Sequence, residues 1–515
     1  MTRVDFATLP EALAHWARET PARRLFSDGT MSLTYGATAE RITRLAGGFG
    51  SLGLVPGDRI AVLMQSGIDY ALVWLAAAQA GLVAAYINPA HIGEILAHQL
   101  RLADPKMLIA DRGVWQNVDA AWPTYGGRRV VAGEASGPEV SLHTLLQAEP
   151  GAAGGPRPSD PMALYFTSGT TGPSKAVLYG HAQAMATARP MAAVLDRDDV
   201  FLWFNPMFHV ALPHFVGASM IAGASVEIVP AFSARNFWHD VRQRKATAAM
   251  MLGAVASLVA AQPERPADRE HGLRKVFMVP LQDRLQEFER RFGVRTMSWF
   301  NMTEVATPIH TRGFDRTDDV SCGYVREGVE ARIVDELDQP VPDGVAGELT
   351  LRYARPFEFS QGYWGDPVST VAAWRNLWFH TGDVFARAPD GGFRFVDRRK
   401  DVIRRRGENI AASEVERAIN AHPAVLESAV VGVPSPLGEE DVLAVIVPAA
   451  GTVLVPEELI AYLHTRLAAY MVPRYVRIDA RGLPKTPTGK VQKGPLRAAG
   501  IAGSWDRGDR TNAGL

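Results

Sequence analysis

Short apolar runs alternate with amphipathic helical stretches through roughly the first 400 residues of the chain. The runs have the composition of buried strands: RIAVLM from Arg59, VAAYI, KMLIA, ASVEIVP, RKVFMV, VEARIV and GELTLR. Such strand–helix alternation is typical of α/β proteins with largely parallel sheets. We therefore predict an α/β fold in which residues 1–399 form a large N-terminal domain of stacked, mostly parallel sheets with helices.

The pattern starts again after Asp401 on a smaller scale. SEVERAINAHPAV and PEELIAYLHTRLA have helical periodicity, whereas ESAVVGVP and DVLAVIVP have the character of strands. About a hundred residues are enough for an independent domain. We predict that residues 400–515 form a small C-terminal α+β domain.

One uncharged stretch, from Tyr70 to Ile87, is 18 residues long and could be read as a membrane span. We favour a buried helix that starts near Asp69 and ends near Gly81, followed by a strand. No basic residue between Arg59 and Arg101 is available to set a membrane topology. We expect no membrane span and a cytoplasmic location.

Composition narrows the function classes. The 515 residues include 54 basic and 55 acidic side chains, so nothing favours general binding to nucleic acid. The single cysteine, Cys322, excludes an internal disulfide and a cysteine-cluster metal site. Only eight of the basic residues are lysines, and three of them, Lys485, Lys490 and Lys493, lie within nine residues of each other.

The segment YFTSGTTGPSK, from Tyr165 to Lys175, is the strongest candidate for binding phosphate. Small residues let the backbone fold around phosphate oxygens, and the hydroxyl groups and the lysine add donors. It is not a Walker A loop, and a flexible surface turn is the alternative interpretation. The candidate ATP-binding residues are Thr167, Ser168, Gly169, Thr170, Thr171, Gly172 and Lys175.

This segment resembles the signature of the adenylate-forming superfamily, which includes acyl-CoA synthetases, carrier-loading adenylation domains and luciferases. FNPMFHV, WFNMTE, GELTLR, WFHTGD, FRFVDRRKDVIRRRGENI and PKTPTGKVQK resemble its other motifs, in the family's order. The FRFVDRRKDVIRRRGENI segment, and FMVPL where most members have glycines, are similar to the carnitine/crotonobetaine-CoA ligase branch.

The resemblance implies two half-reactions. A small carboxylic acid attacks ATP, releases pyrophosphate and forms an acyl-adenylate, and the thiol of CoA then displaces AMP. Three alternatives remain open: an enzyme that loads a carrier protein, a specialised relative with another nucleophile, and a nucleotide-binding protein that has lost catalysis. The expected cofactors are ATP, Mg²⁺ and CoA, and the oligomeric state stays unassigned.

The same resemblance assigns a role to single residues. Lys490 would bridge carboxylate and phosphate, Thr303 would contact the α-phosphate, and Glu304 would hold Mg²⁺. Asp383 would accept the ribose hydroxyls beside Arg398, and Phe300 would stack on adenine. Lys400 would be the hinge about which the small, mobile domain rotates, and Gly407 would lie at the thiol channel.

The acid pocket is expected near His209, Val279, Pro280, Trp299 and Met302, which are mostly apolar, as in most ligand pockets. The resemblance places Asn301 among the nucleotide-binding residues, but the family normally has Gly there, so its side chain must face either the adenine or the acid. Larger residues in place of glycines favour a small or aromatic acid. In the segments expected to build this pocket, the only acidic residues are Asp283 and Glu304. The sequence therefore gives no support for a cationic acid such as carnitine as the substrate.

Overall fold

The computed structural model describes residues 5–133, 135, 137, 139–151, 155–167, 174–279, 281, 285–314, 321–398, 401–405, 408–435, 439–486 and 489–508. The helices and strands of the first 192 residues are α1 (Leu9–Glu19), β1 (Arg24–Ser27), β2 (Ser32–Thr34), α2 (Tyr35–Ser51), β3 (Arg59–Leu63), α3 (Ile68–Gln79), β4 (Val83–Tyr86), α4 (Gly93–Ala103), β5 (Met107–Asp111), α5 (Trp115–Ala121), β6 (Arg128–Ala132), β7 (Val140–Ser141), α6 (Leu142–Leu145), β8 (Pro161–Thr167), β9 (Lys175–Gly180) and α7 (His181–Ala192).

The elements that follow, up to the end of the antiparallel sheets, are β10 (Val200–Trp203), α8 (Gly217–Ala222), β11 (Ser225–Ile228), α9 (Phe237–Gln243), β12 (Ala248–Leu252), α10 (Gly253–Ala260), β13 (Lys275–Val279), α11 (Leu285–Phe292), β14 (Arg295–Met297), β15 (Trp299–Met302), β16 (Ala306–His310), β17 (Tyr324–Val325), β18 (Val329–Val334), β19 (Gly347–Tyr353), α12 (Pro367–Ala373), β20 (Phe379–Arg387) and β21 (Phe393–Arg398). A π-helical turn, Leu212–Val216, precedes α8.

The C-terminal part contains β22 (Val402–Arg405), β23 (Glu408–Ala411), α13 (Ala412–Asn420), β24 (Val425–Pro434), β25 (Glu440–Pro448), α14 (Pro456–His464), β26 (Tyr475–Ile478), α15 (Lys493–Ala498) and β27 (Trp505–Asp506). Strands β24 to β27 form one mixed sheet in that order. The predicted helices and strands after Asp401 are confirmed.

Two seven-stranded sheets form the framework of the larger domain, in the orders β7-β6-β5-β3-β4-β8-β9 and β14-β13-β12-β10-β11-β1-β2. Each is parallel except at one edge, where β8 pairs with β9 and β1 pairs with β2 in antiparallel fashion. Smaller antiparallel sheets, β15–β17 and β18–β21, follow them. The predicted fold class, a large domain of mostly parallel sheets with a smaller C-terminal domain, is confirmed.

The apolar runs are continuous because both faces of the parallel sheets are covered. In β3, Ile60 and Val62 face the core between the two large sheets, whereas Ala61 and Leu63 face the helices on the outer side. Helix α3 lies in the central layer, with Tyr70 and Trp74 fully buried. Burial on all sides explains the uncharged stretch, and no helix of the described residues is long and apolar enough to cross a membrane.

Candidate active site

Thr303 and Glu304 occupy the tight turn that joins β15 to β16. The turn closes where Met302 pairs with Ala306, and Ala306 adopts a φ of 55°, a left-handed conformation that is unusual for a residue other than Gly. The buried Gln183 amide donates to the carbonyl oxygens of Thr303 (2.9 Å) and Glu304 (3.1 Å). The hairpin and Gln183 together fix the backbone at this turn.

The Glu304 carboxylate is buried and points toward Tyr363, whose hydroxyl donates to Oε1 at 2.9 Å. Burial raises the pKa of Glu304, while the Tyr363 hydrogen bond and the charges of Lys175 and Arg398 oppose that rise. The Lys175 ammonium stacks on the Tyr363 ring at 4.8 Å from its centroid. Two cations and a carboxylate predicted to bind the nucleotide therefore lie together.

The segment predicted to bind phosphate joins the antiparallel strands β8 and β9, which pair Thr167 with Lys175. On the far side of the loop, Ser174 is held by α4, since its carbonyl contacts His98 Nε2 (2.9 Å) and its hydroxyl accepts from Gln99 (3.4 Å). Five predicted ATP-binding residues lie outside the described residues: Ser168, Gly169, Thr170, Thr171 and Gly172.

Asp383 and Arg398 face each other across the antiparallel pair β20–β21, with 3.7 Å between Arg398 Nε and Asp383 Oδ1. The turn before Asp383 is supported by Glu348, which accepts from the Gly382 amide at 3.0 Å. Gly382 has a φ of 71°, a conformation that favours glycine. The structure thus brings together the two residues assigned to the ribose.

Lys490 extends from the C-terminal domain toward this cleft. The residue is exposed to solvent, but the protein groups around the ammonium desolvate it and lower its pKa; Arg398 adds to the decrease and Asp383 opposes it. Its backbone amide donates to the Thr486 hydroxyl at 3.1 Å, which closes a short turn. The ammonium therefore lies within electrostatic range of the predicted ribose site.

The neighbouring lysines differ from Lys490 in their partners. Lys485 pairs with Glu427 at 2.6 Å and Lys493 pairs with Glu416 at 2.8 Å, both within the C-terminal domain. Among the described residues of this lysine-rich segment, only Lys490 is directed at the cleft. A general basic patch, the alternative interpretation of the segment, does not account for this difference.

The residues predicted to bind the nucleotide thus lie around one cleft, which Lys490 of the C-terminal domain faces. Family models match both the larger domain and the C-terminal domain. The model described as AMP-binding enzyme matches residues 13–364, and that described as AMP-binding enzyme C-terminal domain matches residues 414–490. The chain belongs to the AMP-binding enzyme family.

Similar proteins of this family are acid–CoA ligases. The crotonobetaine/carnitine–CoA ligase of Salmonella paratyphi A is 31% identical over 485 residues, which cover 90% of this chain and 93% of the relative. ATP-bound MatB from Rhodopseudomonas palustris superposes with a TM-score of 0.85 at 25% identity over 96% of this chain and 98% of MatB. A benzoate CoA ligase from Burkholderia xenovorans LB400 shares the fold with a TM-score of 0.86 at 24% identity, over 95% of this chain and 99% of the ligase.

Family membership and these relatives make the chain an acyl/aryl-CoA ligase of the AMP-forming type, for which ATP and CoA are the expected substrates. Magnesium is a separate question. Among the described residues no group of three or more His, Cys, Asp or Glu side chains is placed to hold a metal ion. One buried carboxylate, Glu304, suits Mg²⁺ instead, since Mg²⁺ usually binds one or two carboxylates together with substrate phosphates.

Of the residues predicted to line the acid pocket, His209 has the most distinctive surroundings. Burial lowers its pKa to about 4, and the charges of Lys490 and His91 add to the decrease, so the imidazole is neutral near pH 7. Its Nε2 is enclosed and has no hydrogen-bond partner among the described residues. His209 therefore lies within electrostatic range of Lys490, the residue predicted to act on the carboxylate.

The other predicted pocket residues divide between two faces of β15. Trp299 is buried and packs edge to face on Phe215 at 5.2 Å, toward the main core, and the half-buried Val279 lies against that core as well. On the opposite face, Phe300 packs edge to face on Phe385 at 4.9 Å, and Met302 lies against the same cluster. Pro280 lies outside the described residues, and the adenine contact of Phe300 stays a prediction.

Asn301 lies on the same side of β15 as Trp299, since both side chains contact His214. Its Nδ2 lies 3.3 Å from Nδ1 of His214, a fully buried residue on the π-helical turn. The side chain is therefore directed toward the predicted acid pocket and away from Phe300, the residue assigned to adenine.

The predicted hinge, Lys400, and the predicted thiol-channel residue, Gly407, lie outside the described residues. The contacts on either side of the hinge are described. The Ser413 amide of α13 donates to Asp397 of β21 at 3.1 Å, and the Ser413 hydroxyl donates to the Val396 carbonyl oxygen of the same strand. These bonds hold the C-terminal domain in the orientation that presents Lys490 to the cleft.

Sequence reasoning missed the residues that hold the functional groups in place, chiefly Gln183, His214, Glu348 and Tyr363. Tyr363 contacts a carboxylate 59 residues earlier in the chain, and Gln183 bonds a carbonyl 121 residues later. Gln183 lies among alanines and methionines in α7, but His181, Thr187 and Arg189 are polar as well, so the local sequence gives only a weak signal for it. Nothing in the local sequence distinguishes Tyr363.

Proposed function

We propose that this ligase activates a small carboxylic acid, either aromatic or with an uncharged tail, and transfers it to CoA. Lys490 would act in the first half-reaction. The observation that carries the proposal is the placement of Lys490 in the cleft, with Lys485 and Lys493 engaged elsewhere. A flexible stem with a compact charge suits a group that must follow charge moving between carboxylate and phosphate.

In the first half-reaction a carboxylate oxygen of the acid bonds to the α-phosphorus of ATP. The bond from that phosphorus to the bridging oxygen breaks, and pyrophosphate leaves. Lys175 and the loop that follows Thr167 would bind the phosphates, Thr303 would donate to the α-phosphate, and Asp383 would accept the ribose hydroxyls beside Arg398. Most of the rate enhancement would come from positioning and charge neutralisation.

Glu304 would hold Mg²⁺, which supplies positive charge to the phosphates. Two observations support this assignment. The carboxylate is buried, and its raised pKa shows that the nearby cations do not fully offset its burial, so a further cation is favourable there. Tyr363 would orient the carboxylate by its hydrogen bond to Oε1.

In the second half-reaction the sulfur of CoA attacks the acyl carbon and loses its proton, the bond to AMP breaks, and AMP leaves. We propose that the C-terminal domain, residues 400–515, rotates about Lys400 for this step. The rotation would withdraw Lys490 and bring Gly407 to the thiol. Rigid-body closure of one domain on another is a common way to assemble two sites in turn.

The acid of this enzyme would differ from that of the crotonobetaine/carnitine–CoA ligase relatives. A trimethylammonium group is stabilised by a nearby carboxylate or an aromatic cage. Among the described residues of the pocket segments, Glu304 is the only carboxylate, and it is engaged with Tyr363 and the predicted metal site. A neutral acid tail fits these residues better.

The test is steady-state pyrophosphate release from ATP and Mg²⁺ with short, branched, aromatic and aminoaromatic acids, each with and without CoA. We expect release with one class of acid, and multiple turnovers only when CoA is present. Turnover that ignores CoA would assign the acyl group to a carrier protein or another nucleophile. No release with any acid would contradict the proposal.

A further inference from the structure

Three polar side chains form a buried row behind the predicted acid pocket: Thr307 on β16, His214 on the π-helical turn and Asn301 on β15. Thr307 Oγ1 lies 3.1 Å from both the Thr187 carbonyl oxygen and His214 Nε2. Asn301 Nδ2 lies 3.3 Å from His214 Nδ1. His214 and Thr307 are fully enclosed, among Phe215 and Trp299.

The direction of each bond in this row follows from what its members can donate. Burial lowers the pKa of His214 to about 3, with His310 adding to the decrease, so the ring is neutral and carries one N–H. All three contacts form together only when Thr307 donates to the Thr187 carbonyl and accepts from His214 Nε2–H. Nδ1 of His214 is then an acceptor, and Asn301 must turn its NH₂ group toward it.

This orientation leaves the Asn301 carbonyl oxygen, Oδ1, directed away from His214. The atom is enclosed by protein and has no hydrogen-bond partner among the described residues. The residue as a whole is only half-buried, so part of it borders open space, although Oδ1 itself is covered. An acceptor without a donor is unfavourable, and a ligand that reaches it and donates a hydrogen bond removes that penalty.

The position of Asn301 relates this acceptor to the reaction. It precedes Thr303, the residue assigned to the α-phosphate, by two positions, at an irregularity in the pairing of β15 just before the turn. The acid carboxylate must lie at the α-phosphate to react, so Asn301 Oδ1 meets the body of the acid and not its carboxylate. The surrounding ring systems, His214, Phe215 and Trp299, carry no charge at neutral pH.

We propose that the pocket selects acids that bear a neutral hydrogen-bond donor, a hydroxyl or an amino substituent, which donates to Asn301 Oδ1. This inference rests on the proposed function and names the substrate class of the same site. An acid of the same size without the donor leaves the carbonyl unpaired, and one that offers only an acceptor in the same place is repelled by it.

The test compares kcat/KM for benzoate, its three hydroxy isomers, its three amino isomers and the matching methoxy acids, in the wild-type enzyme with ATP, Mg²⁺ and CoA. We expect at least one hydroxy or amino isomer to exceed both benzoate and its own methoxy analogue by about 10- to 100-fold, as for an unpaired buried acceptor.

The variants Asn301→Gly and Asn301→Ala remove the acceptor. With either variant we expect kcat/KM for the donor acids to come within about threefold of kcat/KM for the matching methoxy acids. The reason is that the protein then has no acceptor that a donor-free acid would leave unpaired. The KM for ATP should stay close to that of the wild type. Asn376→Gly is the matched control: this exposed Asn has a φ of 54°, and the same substitution there should leave the ratio unchanged.

The outcomes are distinguishable from a failure of the proposed function. If acids are activated but donors confer no advantage, or if the ratio survives in both Asn301 variants, this inference is wrong and the ligase activity stands. If the wild-type enzyme activates no acid of any class, the proposed function is overturned and this inference falls with it.

Discussion

At the scale of single residues, the ammonium of Lys490 works in a cleft that lowers its pKa, and its charge in turn acts on His209. The charged form is the useful one, since it must stabilise negative oxygens during adenylation. Adenylation should therefore decline as the pH rises through this lowered pKa, earlier than an ordinary lysine would allow.

The variant Lys490→Arg tests the assignment of that decline. Arginine keeps its charge at all accessible pH values, so we expect a lower rate but an alkaline limb of kcat/KM for ATP displaced to higher pH. The measurement is the initial rate of pyrophosphate release across the alkaline range. An alkaline limb at the same pH in both enzymes would show that another group titrates.

Tyr363 offers a second prediction at this scale, on the acidic side. Its hydroxyl favours the ionised form of Glu304, so Tyr363→Phe should raise the pKa of that carboxyl further. Since the ionised form would hold Mg²⁺, activity falls as the pH drops through that pKa, and the acidic limb should move to higher pH in the variant.

The readout is the KM for Mg–ATP as a function of pH, which we expect to rise about 10- to 100-fold at the acidic end, the usual effect of losing one hydrogen bond to a charged group. Tyr324→Phe is the control, since the Tyr324 hydroxyl contacts Asp390 at 3.2 Å, away from the cleft. If the two substitutions had equal effects, the role assigned to Tyr363 in orienting Glu304 would be contradicted.

At the scale of elements, the site is built from antiparallel hairpins at the edge of a parallel framework. The β8–β9, β15–β16 and β20–β21 pairs supply Lys175, Glu304 and Asp383 respectively. Parallel strands place their ends at one edge, and the hairpins then set side chains opposite each other in register. This is how Asp383 and Arg398, 15 positions apart in the sequence, come to face each other.

The elements themselves were accessible from the sequence, because buried parallel strands are continuous apolar runs and the helices between them are periodic. The predicted strands VAAYI and RKVFMV correspond to β4 and β13. The support around the site was not accessible. Gln183, Glu348 and Tyr363 act through contacts between distant segments, which local patterns do not record.

The β22–β23 hairpin gives a stability prediction. Arg405 is buried, with Nε 3.0 Å from Asp441 Oδ1 and a bond to the Tyr470 carbonyl at 2.8 Å, whereas Arg404 is 57% exposed. Breaking a buried pair leaves an incompletely compensated charge, so Arg405→Met should destabilise the C-terminal domain by about 3 kcal/mol.

Arg404→Met removes only a surface contact with Glu439 and should cost under about 1 kcal/mol. The measurement is denaturant unfolding followed by a probe in the C-terminal domain. Equal stability of the two variants would contradict a structural role for Arg405. The comparison also separates the exposed Arg404 from its buried neighbour.

At the scale of the whole molecule, the two domains meet so that Lys490 of one faces Arg398 and Asp383, two residues predicted to bind the nucleotide, in the other. The bonds from Ser413 to Asp397 and to the Val396 carbonyl oxygen cross the predicted hinge and support this orientation. We propose that Lys490 serves adenylation in this arrangement and that a different arrangement serves thioester formation. The two half-reactions should therefore respond differently to its loss.

The most direct test of this account measures both half-reactions separately in Lys490→Ala, with Lys485→Ala as the control. One assay follows acyl-AMP formation from ATP and the acid in a single turnover. The other follows acyl-CoA formation from supplied acyl-AMP. We predict that Lys490→Ala slows the first by at least about 100-fold and leaves the second within about threefold of wild type, whereas Lys485→Ala affects neither. Equal loss of both half-reactions in Lys490→Ala would contradict the account.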